Sequence, residues 1–169
     1  LIDNYWDNED GGFYFTKIDN SIAGIRKKDI YDGAIPSGNS IALLNLIKLS
    51  KITADSSLED KALKILKAFS ETVEKAPEAY TQFISSFDFI IGPSFEIVIV
   101  GGNDSGETKK ILKAVNLAFI PNKVVILKTI DSPENEMSKT PDFIKDLKMI
   151  NNKSTIYVCS NFSCKLPTN

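Results

Sequence analysis

The sequence predicts a mixed α/β protein in which a helical part is followed by a small part that contains a sheet. Apolar residues recur at helical spacing between Ser40 and Ile91, whereas the short run Phe95–Val100 is rich in β-branched residues. Two further β-prone segments follow that run, each preceded by a helical segment. We therefore divide the chain into a helical segment, residues 1–93, and an α/β subdomain, residues 94–169.

Three helices are predicted in the first part. The apolar positions after Ser40 cover more than one helical face, which indicates a helix packed on two sides. Ser56 and Glu59 have the spacing of a capping box, with Ser56 as N-cap, and open an amphipathic helix. A third helix begins after Pro77 and ends at Gly92-Pro93, a glycine and a helix breaker. Short connections between these helices predict an antiparallel helical layer.

The second part is predicted to have the order β-α-β-α-β. Its first strand, Phe95–Val100, is a short β-branched run of the kind that is buried in a parallel sheet. The remaining elements are a helix between Gly106 and Pro121, a strand Lys123–Leu127, a short helix opened by Thr140-Pro141 and continuing through Leu147, and a strand Thr155–Cys159. With right-handed crossovers this order predicts a small parallel sheet with helices against it.

Composition excludes several classes of function. Twenty Lys and Arg against 22 Asp and Glu give a net charge of −2, so no global basic field exists to hold nucleic acid or an anionic membrane. The sequence contains no histidine, which removes imidazole acid–base chemistry and histidine metal sites from this chain. We expect no cofactor and no metal, and the remaining acid–base candidates are carboxylates, lysine and tyrosine.

The expected setting is the cytoplasm. No apolar run approaches the roughly 20 residues that a membrane span needs, and two cysteines are too few for a disulfide-stapled secreted scaffold or a four-thiolate zinc site. The chain begins at Leu1 with no signal-peptide pattern, so we expect a soluble product that is processed or is a piece of a longer protein.

Two polar loops carry most of the candidate site residues. One, around Tyr5–Thr16, sets two glycines between aromatic residues and is predicted to form a loop or hairpin. The other, Tyr31–Ser40, is rich in turn formers and comes directly before a helix.

Several separated blocks of sequence share their order with one known family. These blocks are Trp6-Asp7, Asp10–Thr16, Arg26 and Lys28, Tyr31–Ser40, Gly92-Pro93, Val98–Gly101, Pro121–Val125, Tyr157–Cys159, Asn161-Phe162 and Cys164.

On these blocks the chain resembles the C-terminal portion of the spermatogenesis-associated thioredoxin-domain proteins. Members of that family carry a thioredoxin-like domain followed by an α/α toroid similar to that of the N-acylglucosamine 2-epimerases and other six-hairpin carbohydrate enzymes. The resemblance implies that residues 1–93 are a partial toroid segment, that the missing N-terminal domains are partners of this chain, and that a sugar-like small molecule is a ligand. The thioredoxin-like domain and most toroid helices have no counterpart in these 169 residues.

The resemblance suggests a sugar site shared by the two loops. Asp7 and Asp32 are the predicted acid–base pair. The predicted substrate-binding residues are Trp6, Tyr14, Tyr31, Ser37 and Asn39. Two structural alternatives stay open: the aromatic loop could be an aromatic cluster packed against the helices, and Ser37 and Asn39 could simply cap the following helix.

Two further motifs have competing interpretations. Gly101–Gly106 lies between a strand and a helix but lacks the glycine order of a phosphate loop, which favours a simple turn. Cys159 and Cys164 could be buried structural thiols, a reversible disulfide or half of a metal site; we favour a structural or redox-responsive pair.

The sequence thus supports two hypotheses on function. The first is a fragment of a carbohydrate-active, epimerase-like protein that is inactive alone. The second is a non-catalytic binding or assembly module with a redox-responsive cysteine pair. Because an open helical layer would leave apolar faces uncovered, we also expect the chain either to form a homodimer through that layer or to expose an apolar patch.

Overall fold

The computed structural model describes residues 1–17, 26–131 and 141–168. These form two compact units, Leu1–Ser50 with Asp55–Ile91, called the helical unit, and Lys51–Ala54 with Gly92–Asn169, called the sheet unit. The mixed α/β class predicted from the sequence is confirmed.

The three helices predicted in the first part are present, and a one-turn helix that was not predicted precedes them. The helices are α1 (Ile2–Tyr5), α2 (Gly38–Thr53), α3 (Ser56–Lys75) and α4 (Thr81–Ile91), with a 3-10 turn over Pro77–Ala79. The N-cap of α3 is Asp55 rather than the predicted Ser56, because the Asp55 carboxylate accepts a hydrogen bond from the Ser57 N–H at 2.9 Å. Helix α4 ends immediately before Gly92-Pro93, as expected.

The described part of the sheet unit contains one four-stranded sheet in the order β2-β1-β3-β4. The strands are β1 (Phe95–Gly101), β2 (Lys123–Thr129), β3 (Thr155–Ser160) and β4 (Ser163–Cys164). Helix α5 (Gly106–Leu117) connects β1 to the parallel strand β2, and α6 (Asp142–Lys145) precedes β3. Thr140, predicted to open that short helix, lies outside the described residues.

The prediction of a fully parallel sheet is wrong for β3, which runs antiparallel to β1. A parallel return needs a crossover that carries the chain back along the sheet, and α6 rises only about 6 Å in its single turn. The chain then reverses at Asn151 and Asn152, both left-handed, between the bridged residues Ile150 and Lys153. This reversal delivers β3 to the free edge of β1 in the opposite direction.

Strand β1 is the centre of the sheet unit, and six of its seven residues are buried. One face of β1 packs against α5 through Ile97 and Ile99. On the other face, residues of β1 and of the neighbouring strand β3 pack against α6. Members of the second cluster include Val98, Val100, Ile144, Tyr157 and Cys159. The β-branched run in the sequence therefore corresponds to a strand covered on both faces, as expected.

Gly101 ends β1 where a side chain has no room. A Cβ atom there would lie 2.4 Å from the Thr108 Oγ1 and 2.7 Å from the Ser154 Oγ, two hydroxyls that are hydrogen-bonded to each other at 2.9 Å. Gly106, at the start of α5, would meet nothing within 4 Å. The two glycines of one turn thus differ in what they can tolerate.

We expect Gly101→Ala to lower the free energy of unfolding by about 1–3 kcal/mol, because the added methyl must push apart a buried hydroxyl pair. The matched control Gly106→Ala should leave stability unchanged or raise it slightly, since alanine favours a helix. Urea denaturation followed by circular dichroism measures both. Equal midpoints for the two variants would contradict this account of the turn.

Candidate functional site

The aromatic loop folds back on itself after α1. Trp6 and Phe13 form an antiparallel bridge, and their rings meet edge to face with centroids 5.0 Å apart. Both side chains are buried, Trp6 being only 5% exposed. Gly11 has a φ of +78°, and a Cβ there would lie 2.9 Å from the Cβ of Lys64. The indole of Trp6 therefore packs in the core instead of facing a ligand.

The buried carboxylate of Asp7 accepts hydrogen bonds from two side chains and two backbone N–H groups. Its carboxylate lies 2.6 Å from the Lys28 ammonium and 2.7 Å from the Tyr14 hydroxyl, and it also accepts from the backbone N–H groups of Glu9 and Asp10. Burial by itself would raise the pKa of Asp7, but these donors outweigh it and hold the pKa well below its usual range. The hydrogen bond that the Tyr14 hydroxyl donates to Asp7 raises the pKa of that hydroxyl.

Asn39 joins the two loops at the first turn of α2. Its Nδ2 donates to the carbonyl oxygens of Phe13 and Asp29, both at 2.9 Å, and its Oδ1 accepts from the Phe13 N–H at 2.6 Å. The side chain is buried, so these bonds replace water completely. Asn39 thus holds backbone from both loops rather than projecting freely into a binding site.

Asp32 and Ser37 organise the second loop. One carboxylate oxygen of Asp32 accepts from the Ser37 N–H and the other from the Phe83 N–H, each at 2.9 Å. The second bond caps α4 from a distant part of the chain, because Phe83 lies in the first turn of that helix. The Ser37 Oγ accepts from the Ser40 N–H at 3.1 Å and donates to the Ser40 Oγ at 2.9 Å.

The two loops share one cleft in the helical unit. It has a volume of about 410 Å³ and brings together four predicted residues: Tyr14, Tyr31, Ser37 and Asn39. Phe15, Ile35 and Asp29 also line it. Tyr31 is 61% exposed and Phe15 is 80% exposed, so aromatic faces are available at the surface. The predicted Trp6, Asp7 and Asp32 do not line this cleft.

Two basic residues that our site prediction did not include are central to the first loop. Arg26 stacks over the Tyr14 ring at 3.9 Å, and its guanidinium donates to the Thr16 carbonyl. Lys28 pairs with Asp7 and also donates to the Gly11 carbonyl at 2.6 Å. The signal in the sequence was the basic cluster Arg26-Lys27-Lys28, which had no partner assigned to it.

In the sheet unit, Cys159 and Cys164 form a disulfide, with Cα atoms 3.8 Å apart. They are register partners on β3 and β4, joined by a two-residue turn in which Asn161 and Phe162 both have positive φ. Proximity of the two sulfurs was expected from the sequence, whereas strand β4 was not. The thiols that the sequence offered are therefore paired with each other.

Glu96 is a buried carboxylate that the site prediction missed. It lies on the central strand β1 and is 0% exposed. One carboxylate oxygen accepts from the Phe162 N–H at 3.2 Å, and the other lies 3.7 Å from the Lys51 ammonium. The sequence signal was a single charge inside the apolar run Phe95–Val100, a position where a carboxylate needs an explanation.

The described ranges 1–17, 26–131 and 141–168 contain neither a metal-binding cluster of side chains nor a membrane-spanning helix. No group of three or more acidic or cysteine side chains is arranged to hold a metal ion there. No helix there is both long and apolar enough to cross a membrane.

We expect Asn39→Ala to lower the free energy of unfolding of the chain by about 2–4 kcal/mol, since it leaves a buried N–H and two carbonyl oxygens without partners. Asn39→Asp keeps the acceptor for the Phe13 N–H but loses both donors, so this variant should also lose much of the free energy of unfolding. Chemical denaturation measures both. A change below about 0.5 kcal/mol for Asn39→Ala would show that the amide does not hold the loops.

The lowered pKa of Asp7 predicts an acid-sensitive contribution to stability. The native carboxyl binds its proton only well below the ordinary value of 3.8, so the native state holds fewer protons than the unfolded state in that range. Stability from this group is present above about pH 5 and is lost as the pH falls toward 2. We expect Asp7→Asn to have a smaller loss of unfolding free energy between pH 5 and 2.5 than wild type, measured by urea titration. Parallel pH curves would contradict this.

Comparison with known proteins gives relatives of one kind. Human spermatogenesis-associated protein 20 is 33% identical over 165 residues, and the rat protein of the same name is 32% identical over 164 residues; each match covers 96% of this chain and 21% of the relative. An uncharacterized protein of Caenorhabditis elegans is 27% identical over 164 residues. No family model and no solved structure matches the chain.

The chain therefore spans about a fifth of the length of the curated relatives named here. Since almost every residue of the chain takes part in these matches, the family resemblance inferred from the sequence blocks is confirmed. The thioredoxin-like domain and the toroid are not part of that finding. The chain is therefore homologous, over nearly its whole length, to a segment that makes up about a fifth of spermatogenesis-associated protein 20.

Proposed function

We propose that the cleft of the helical unit binds a sugar-like small molecule and does not transform it. The observation that carries the proposal is the convergence of Tyr14 from the first loop with Tyr31, Ser37 and Asn39 from the second on one cavity of about 410 Å³. This volume falls within the range of small-molecule sites. The exposed faces of Tyr31 and Phe15 suit the apolar face of a sugar ring.

Binding without catalysis is favoured because both candidate carboxylates already have structural partners. Asp7 pairs with Lys28, and its low pKa keeps it ionised at neutral pH, so it has no proton to donate as a general acid. Asp32 accepts two backbone hydrogen bonds that hold its loop against α4. In this proposal any carbohydrate chemistry of such proteins comes from the rest of the longer relatives, outside the matched fifth.

A second candidate function is a binding or assembly module with a redox-responsive cysteine pair. The disulfide between Cys159 and Cys164 favours it, since it closes a loop of only four intervening residues and adds little chain-entropy stabilisation. An apolar groove of about 420 Å³ in the helical unit, lined by residues that include Phe83, Ile84 and Phe87, would serve as the docking surface for other domains or a second copy. This module would work in the cytoplasm.

We expect Tyr31→Ala to weaken binding of N-acetylglucosamine to the chain by about fivefold, because the exposed ring supplies about 1 kcal/mol of stacking. The sugar is chosen because the family resemblance points to N-acylglucosamine enzymes. Ligand-observed NMR titration gives the dissociation constants. The matched control is Phe119→Ala, an aromatic side chain that is 94% exposed and lies in the sheet unit, which should bind like wild type.

Two results would contradict the proposal. One is the same dissociation constant for wild type and Tyr31→Ala. The other is a wild-type chain that does not bind the sugar at millimolar concentration. Circular dichroism of each variant shows whether a loss of binding comes from unfolding.

A further inference from the structure

Glu96 has a carboxylate oxygen without a hydrogen-bond donor. The whole side chain is 0% exposed, and no donor among the described residues bonds to its Oε1; the nearest cation, the Lys51 ammonium, is 3.7 Å away. The other oxygen, Oε2, accepts from the Phe162 N–H. A buried acceptor without a donor is costly, so its presence in the centre of a sheet needs a physical reason.

The disulfide lies beside this carboxylate. Glu96 and Cys159 are direct register partners on the antiparallel strands β1 and β3, so their side chains point to the same face with Cβ atoms about 5 Å apart. Cys159 is 0% exposed and bonded to Cys164, and therefore has no S–H group in this state. A reduced Cys159 would gain an S–H donor on the face of the sheet that carries Glu96, whose Oε1 has no hydrogen-bond donor.

The two sulfurs differ in access. Cys159 lies on β3 within the buried cluster that contains Val98 and Tyr157, whereas Cys164 on the two-residue edge strand β4 is half-buried. Thiol–disulfide exchange requires an attacking thiolate to approach one sulfur in line with the bond. Cys164 lies on the edge strand and is the more exposed residue of the pair, so we expect a thiolate to attack its sulfur.

We propose that Cys164 is a thiol-exchange site for dithiol reductants and that Glu96 positions the reduced Cys159 by accepting its S–H hydrogen bond. This inference rests on the redox-responsive role proposed above for the cysteine pair. It adds a point of attack, a leaving group and a residue that sets the equilibrium between the disulfide and the two thiols.

The exchange balances with one dithiol. A dithiol loses a proton to water, and its thiolate attacks the Cys164 sulfur; the S–S bond breaks, and its electron pair leaves on Cys159, which takes a proton from water. The second thiol of the dithiol loses a proton, and its thiolate then attacks the first sulfur of the same dithiol, which is bonded to Cys164 in the mixed disulfide. Cys164 leaves with the electron pair and is protonated, so the dithiol is oxidised by two electrons and the protein disulfide is reduced to two thiols.

Glu96 acts on this equilibrium because its new hydrogen bond exists only in the dithiol state. Its bond to the Phe162 N–H and its pairing with Lys51 are present in the disulfide state described here. Replacing Glu96 by a residue without an acceptor therefore removes more from the dithiol state than from the disulfide state. The disulfide should become harder to reduce.

The experiment is a redox titration of the full chain in buffers of oxidised and reduced dithiothreitol, with free thiols counted by alkylation and mass spectrometry. We expect Glu96→Leu to shift the equilibrium toward the disulfide by at least about fivefold. Glu96→Gln keeps an oxygen acceptor and should shift it less. The control Tyr157→Phe removes a buried hydroxyl from the same cluster, where it donates to the Lys148 carbonyl, and should leave the constant unchanged.

Two further measurements separate positioning from a general effect on folding. The infrared S–H stretching band of the reduced wild-type chain should contain a component at lower frequency, from the hydrogen-bonded thiol. The reduced Glu96→Leu variant should lack this component. Single-cysteine variants test the point of attack: Cys159→Ser leaves Cys164 and should react with a disulfide reagent at least tenfold faster than Cys164→Ser, which leaves Cys159. Equal rates would overturn the assignment of Cys164.

The results distinguish this inference from the function on which it rests. If dithiothreitol reduces the bond but Glu96→Leu and wild type have the same equilibrium constant within twofold, the role of Glu96 is overturned while a redox-responsive pair stands. If the two cysteines stay as free thiols in oxidising buffer, or the disulfide resists every dithiothreitol ratio, both proposals fall together.

Discussion

The arrangement of the helical unit depends on the buried amide of Asn39. This one side chain meets a donor, the Phe13 N–H, and two acceptors, the carbonyls of Phe13 and Asp29, and an amide is the side chain that both donates and accepts at such a point. A carboxylate would leave the two carbonyls without donors, and an apolar residue would leave all three groups unsatisfied. Because its partners belong to two loops and Asn39 itself lies in α2, these three bonds tie both walls of the cleft to the same helix.

The same motifs thus contain two kinds of residue that look alike in the sequence. Asp7, Asp32 and Asn39 have the chemistry of a binding site, but each is used to hold backbone or a neighbouring cation. The residues left exposed around the cleft include Phe15, Tyr31 and Ile35. A polar residue in a loop satisfies backbone before it can bind a ligand, since an unpaired buried amide costs more than a surface contact provides. Composition alone does not separate the two kinds.

Local patterns predicted what is local. The helical spacing located α2 to α4, and the β-branched run located the buried strand β1. Both predictions succeeded because the spacing of apolar residues along a short segment indicates which of its faces are buried. The direction of β3 was missed, since pairing direction depends on how a connection of more than twenty residues returns to the sheet. The partners of Asn39 were missed for the same reason: Phe13 is 26 residues away, and no local spacing links an amide to a distant carbonyl. Glu96 could have been noticed, as a charge inside an apolar strand, but its neighbour Cys159 could not.

The two ends of β1 show how the sheet unit handles buried polar groups. At the Gly101 end, the hydroxyls of Thr108 and Ser154 bond to each other and the small glycine leaves them room, so this polar pair is satisfied. At the other end, Glu96 keeps an oxygen without a donor. A leucine of similar volume would avoid that cost, because a satisfied apolar core is at least as stable as a partly satisfied polar one. The ends also differ in that Glu96 is the register partner of Cys159, which has no donor in the disulfide and acquires an S–H donor when it is reduced.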